Sequence, residues 1–87
     1  MLIEREPSLR TVVVENDVIV TNLAKCKCFA LNSSASMVWR ILETPSTVEQ
    51  ICDTMLRSFD VAEDQCRSEV EKLIETWRDM GLVRTLG

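Results

Sequence analysis

Apolar residues recur at helical spacing in the second half of the chain and in β-branched clusters in the first. From Asp60 to Gly81, Cys66, Val70, Leu73, Trp77 and Met80 fall at three- and four-residue steps. They therefore share one stripe of a helix, and most other positions on it are charged. Asp60 with Glu63 resembles a capping start, and Gly81 is a natural stop. Ile74 fits the stripe poorly. At about 100° per residue it lies off the centre of the apolar face, among Arg67, Glu71 and Arg78. The pattern predicts a helix that closes a core and also lines a groove.

The preceding residues read as strands and then shorter helices. Residues 1–10 are a mixed lead-in interrupted at Pro7, with Leu2, Ile3 and Leu9 facing the core. Thr11 to Glu15 and Val18 to Leu23 are β-branched, and the short polar turn Glu15-Asn16-Asp17 makes them a hairpin. Lys27 to Leu31 is a third strand, with Phe29 and Leu31 on one face and Cys28 and Ala30 on the other. Asn32-Ser33-Ser34 stops it and supplies helix caps. Ala35, Val38, Trp39 and Leu42 mark a first helix, which Thr44-Pro45 ends. Ser46-Thr47-Val48-Glu49 is a capping box for a second, carrying Val48, Ile51, Cys52, Met55, Leu56 and Phe59. Leu82 and Val83 return to the core. The expected fold is α+β and winged helix-turn-helix-like: a three-stranded antiparallel sheet followed by three helices, in one domain over residues 1–87.

Composition narrows the function. At 87 residues, with 46% hydrophobic and 28% charged side chains, the chain is globular. No apolar run approaches the about 20 residues needed to span a membrane. Glu4 and Glu6 stand where a signal peptide would be basic and apolar, so a cytoplasmic location is expected. Residues 1–45 carry five basic and five acidic side chains, and residues 46–87 carry five basic and nine acidic. There is no histidine, no tyrosine and no glycine-rich phosphate loop. Cys26-Lys27-Cys28 lacks the spacing of a zinc knuckle, and Cys52 and Cys66 fall on apolar helix faces, so neither a metal nor another cofactor is expected. Cys28 is the one candidate nucleophile, but no base accompanies it. Pairs such as Glu71 and Glu75 read as solvated surface. The chain is not expected to be an enzyme.

Two binding readings remain. In a winged-helix DNA-binding regulator, the last helix would enter the major groove. Between Glu63 and Asp79, however, there are six acidic residues and three basic ones, a face that repels phosphate. The alternative is a peptide groove. Lys27 to Leu31 comes last in the hairpin series, so it can be a sheet edge to which an extended peptide adds as a strand. Apolar peptide side chains would then pack against the last helix, and an exposed edge also leaves homodimer formation open.

The run Phe29-Ala30-Leu31-Asn32-Ser33-Ser34-Ala35-Ser36-Met37-Val38-Trp39-Arg40-Ile41-Leu42 resembles the signature of PqqD-like proteins. Thr47-Val48-Glu49-Gln50-Ile51, Phe59-Asp60-Val61 and Gly81-Leu82-Val83 continue the likeness, which covers about residues 11–84. This family includes the RiPP recognition elements, which bind the leader of a ribosomally made precursor peptide and present it to a modifying enzyme. The resemblance implies a leader added beside the third strand in a cleft closed by the third helix. Carried onto this chain, it implicates Lys27, Cys28, Phe29, Ala30 and Leu31 together with Arg67, Val70, Glu71, Ile74 and Arg78. The implied partners are the leader and a maturation enzyme (a radical SAM enzyme, leader peptidase or cyclase), with no nucleic acid and no membrane. Phe29 stands where many members have tyrosine, and Glu43-Thr44-Pro45 replaces their acidic-glycine turn.

Overall fold

The computed structural model describes residues 1–15 and 17–86. Asn16, in the predicted Glu15–Asp17 turn, lies outside the described residues. In order, the elements are β1 (Leu2–Arg5), β2 (Arg10–Val14), β3 (Asp17–Asn22), β4 (Lys27–Leu31), α1 (Ser33–Ile41), α2 (Val48–Ser58), α3 (Glu63–Asp79) and β5 (Val83–Leu86). β2, β3 and β4 form the expected antiparallel sheet in that order, and β1 and β5 form a separate two-stranded ribbon.

The ribbon is the main departure from expectation. The lead-in is a strand, and Val83 begins another, pairing Leu2 with Leu86 and Arg5 with Val83. Ile3 also exchanges backbone hydrogen bonds with Ser46 at 2.8 and 3.0 Å, which ties the ribbon to the α1–α2 connection. The architecture is α+β with a three-stranded sheet and three helices, as expected. The winged-helix description is loose, because the returning strand does not join that sheet.

Local chemistry sets the helix starts. Asn32 caps α1 by accepting from the Ala35 N–H at 2.9 Å. Thr47 and Gln50 form a reciprocal capping box on α2. The expected Asp60 start on α3 is not formed: its N-cap is Ala62, without a side-chain bond, and Glu63 and Asp64 supply negative charge to the first turn instead. At the other end Gly81 adopts φ +77°, the left-handed stop that glycine takes without strain.

One core joins the layers. Val18 and Val20 of β3, Trp39 of α1, Ile51 of α2 and Leu82 are each 1% exposed or less. On α3 the buried stripe is Cys66, Val70, Ile74 and Trp77, whereas Leu73 is half-buried and Met80 is exposed. The stripe is therefore turned toward Ile74, because the β1–β5 ribbon, unforeseen from sequence, covers that side. Ile74 is core, 7% exposed.

Candidate peptide-binding site

The register of the sheet fixes which backbone groups are free. Two residues connect Val14 to its partner Asp17, and the closing pair of such a hairpin exchanges both hydrogen bonds. Alternation along β3 then turns Val18, Val20 and Asn22 toward β4, opposite Leu31, Phe29 and Lys27. The β3–β4 turn agrees. Its four residues end at Cys26 in the left-handed region, φ 52°, with the Cys26 N–H donating to the Leu23 carbonyl at 3.3 Å. Cys28 and Ala30 consequently point their N–H and C=O groups away from β3. No described strand pairs with that side, so β4 is a sheet edge.

Side chains alternate in the same way. Phe29 and Leu31 are half-buried and pack against the core, whereas Cys28 and Ala30 face outward and are exposed. Lys27 begins the strand and is exposed.

β4 runs into an apolar groove of about 330 Å³. Asn32, Ser34, Ala35 and Val38 form one wall, directly after the strand, and Cys66, Glu69, Val70 and Leu73 of α3 form the other. Met55, Phe59 and Val61 close the end. Phe59 and Val61 are 36% and 38% exposed, so the rim offers apolar surface to a ligand. Glu69 is the one charged group among these residues.

The structure divides the site residues expected on α3. Val70 lines this groove. Glu71, Ile74 and Arg78 instead line a smaller pocket of about 180 Å³ with Met1, Ile3, Val48 and Thr85, against the ribbon. Arg67 is exposed and pairs with Glu71 at 3.1 Å. No residue of Lys27–Leu31 lines either pocket: the strand meets the larger groove at Asn32, the residue that follows it, and the smaller pocket holds the Glu71, Ile74 and Arg78 shoulder away from it. Leu73 and Glu69, on the opposite shoulder and not among the residues expected from sequence, line the larger groove. Leu73 lies on the predicted core stripe, yet it is half-buried and borders the groove.

Beneath the groove, Cys66 neighbours Cys52 of α2. Both thiols are free and buried. Burial, reinforced by Cys66, pushes the Cys52 thiol up to about 11. That holds it protonated and inert at neutral pH. No group of three or more potential metal ligands occurs among the described residues, and no described helix is long and apolar enough to cross a membrane.

The family model for coenzyme PQQ synthesis protein D (PqqD) matches residues 17–83, from the start of β3 to the start of β5. The chain belongs to the PqqD family. No curated protein sequence matches it significantly. Among solved structures, this PqqD-family chain is similar to TbiB1 in complex with the TbiA(beta) leader peptide. The TM-score is 0.89 at 15% identity, over 97% of this chain and 98% of that one. It is also similar to a lasso peptide synthetase B1 complexed with the leader peptide, with TM-score 0.80 at 12% identity over 95% and 98% of the two chains. At these identities the likeness is one of fold, and it covers more of the chain than the family match does.

Proposed function

We propose that this protein binds the leader of a ribosomally synthesised precursor peptide by strand addition to β4 and presents it to a modifying enzyme. The observation that carries this reading is the free edge at Cys28 and Ala30 running into the apolar groove. Family membership supports it, as does a fold shared with two proteins solved with leader peptides.

In this reading Cys28 and Ala30 supply the backbone hydrogen bonds, and Lys27 marks the start of the added strand. Leader side chains on the helix-facing side cover Phe29 and Leu31 and enter the groove against Val70 and Leu73. Arg67, Glu71, Ile74 and Arg78, on the other shoulder of α3, take no part in the groove. The protein acts by binding alone, in the cytoplasm, without a cofactor, nucleic acid or membrane. The enzyme it serves is a radical SAM maturase, a leader peptidase or a cyclase.

The test is an NMR titration with a synthetic leader encoded by a short reading frame beside this gene. The largest shifts are expected at Lys27–Leu31 and along Cys66–Leu73. Ala30→Pro removes only the outward N–H, a change tolerated at a strand edge, and leaves the β3–β4 ladder intact. It should keep a folded spectrum and weaken binding at least about tenfold, the loss of one hydrogen bond plus a steric block. Unchanged affinity in Ala30→Pro would overturn strand addition. Binding of duplex DNA in place of the peptide would return the winged-helix reading.

A further inference from the structure

The three-stranded sheet has a second free edge. β2 is exposed at all five positions, with Val12, Val13 and Val14 at 46%, 53% and 51%. The alternation that turns Arg10, Val12 and Val14 toward β3 turns the N–H and C=O groups of Thr11 and Val13 outward. No described strand pairs with them. Thr11–Val14 contains neither a charge nor a proline. Edges that avoid self-pairing carry such residues, and this one carries them only at its ends.

We propose that β2 pairs antiparallel with β2 of a second copy of this chain, joining the two sheets into one six-stranded sheet. The strand is complementary to itself in one register. With a twofold axis at Val12, Thr11 lies opposite the partner's Val13 and both offer outward-turned groups. Val12 then meets the partner's Val12, and Arg10 lies opposite the partner's Val14. All five residues pair, whereas centring on Thr11 or Val13 pairs three. The same register brings the Arg10 end of one strand to the Glu15 end of its partner, so opposite charges meet. The β4 edges stay free at the two outer ends of the joined sheet. The pairing rests on β2 alone and stands whether or not β4 binds a leader.

A strand-to-strand contact of this length falls below about 1,200 Å² of buried surface, the range of weak association. Each copy also carries net charge −4, which opposes the dimer.

Sedimentation velocity on the full chain, from about 10 to about 500 µM, tests it by mass action. A reversible monomer–dimer equilibrium is expected. Val13→Pro removes an outward N–H that β3 does not use, and should raise the dimer dissociation constant at least tenfold with an unchanged amide spectrum. Should Val13→Pro misfold, Val12→Lys places two ammonium groups on the twofold axis and should give the same loss. Ala30→Pro, on the far edge, should dimerise as the parent does. A monomer throughout the range, a dimer that survives Val12→Lys, or a dimer abolished by Ala30→Pro would overturn the assignment.

Discussion

Trp39 and Trp77 meet edge to face, with ring centroids 5.4 Å apart and ring planes at 86°. The contact joins α1, which follows the β4 edge, to α3, which forms the far wall of the groove. Trp39 has no exposed surface, and its indole N–H donates to the Thr11 hydroxyl of β2 at 2.8 Å. This pair thus holds the spacing of the groove walls. Trp39→Ala and Trp77→Ala should each cost about 3–5 kcal/mol. The double variant should fall short of their sum by about 0.5–1.5 kcal/mol, the share of the aromatic contact. Urea unfolding of the four proteins measures it. Strict additivity would mean that the rings are merely adjacent.

Leu73 and Ile74 are neighbours on α3 with opposite expected behaviour. Ile74 is core against the ribbon, and Leu73 is half-buried and lines the groove. Ile74→Glu buries a carboxylate among apolar groups and should unfold the domain or cost more than about 3 kcal/mol. Leu73→Glu can turn its carboxylate to solvent. It should remain folded while peptide affinity drops at least tenfold. Circular dichroism with the leader titration separates the two. A folded Ile74→Glu that loses the peptide would return the site to the other shoulder.

The burial of that shoulder against the ribbon has a physical reason. β2, β3, β4 and the three helices were legible because their signals are local: β-branched runs, polar turns, caps and a helical period. β1 (LIER) and β5 (VRTL) are four residues each, with two charged side chains in the first and one in the second, and they gain strand structure only by pairing across the two ends of the chain. Without the ribbon, Ile74 had no burial partner and looked like a groove residue. β4 was legible as an edge because it comes last in the hairpin series. Which flank of α3 faces that edge is set by long-range packing, and helical spacing at Leu73 and Ile74 fits both answers.

Arg5 closes the end of α1. Both its Nε and Nη2 donate to the Trp39 carbonyl, Nε at 3.0 Å, and its guanidinium lies 4.8 Å from the centre of the Trp39 ring. That carbonyl belongs to the last turn of α1, where helix acceptors lack intrahelical partners. Burial lowers the Arg5 pKa, and Glu43 opposes that effect. A lysine offers no planar fork and stacks poorly on the ring. Arg5→Lys should cost about 1–2 kcal/mol, which lowers Tm by roughly 4–15 °C in a domain of this size. Arg5→Met, which retains the stem but leaves the carbonyl unmet, should cost more. Thermal melts rank the three proteins, and equal Tm for Arg5→Lys and the parent would remove Arg5 from the capping role.

Cys52 makes stability depend on alkaline pH. Burial, with Cys66 adding to it, raises its thiol from the usual 9.0 to about 11. Below pH 9 the thiol is protonated in both folded and unfolded chains and contributes no slope. Between 9 and 11 the unfolded chain has released a proton that the folded protein still holds, so stability falls as pH rises. The loss is about 1.4 kcal/mol per pH unit, and about 2 kcal/mol over the window. Urea midpoints measured from pH 7.5 to 10.5 should therefore decline for the parent. Cys52→Ala starts lower, because the buried sulfur is gone, but should decline less steeply. Parallel curves for the two proteins would show that Cys52 titrates as it does in the unfolded chain.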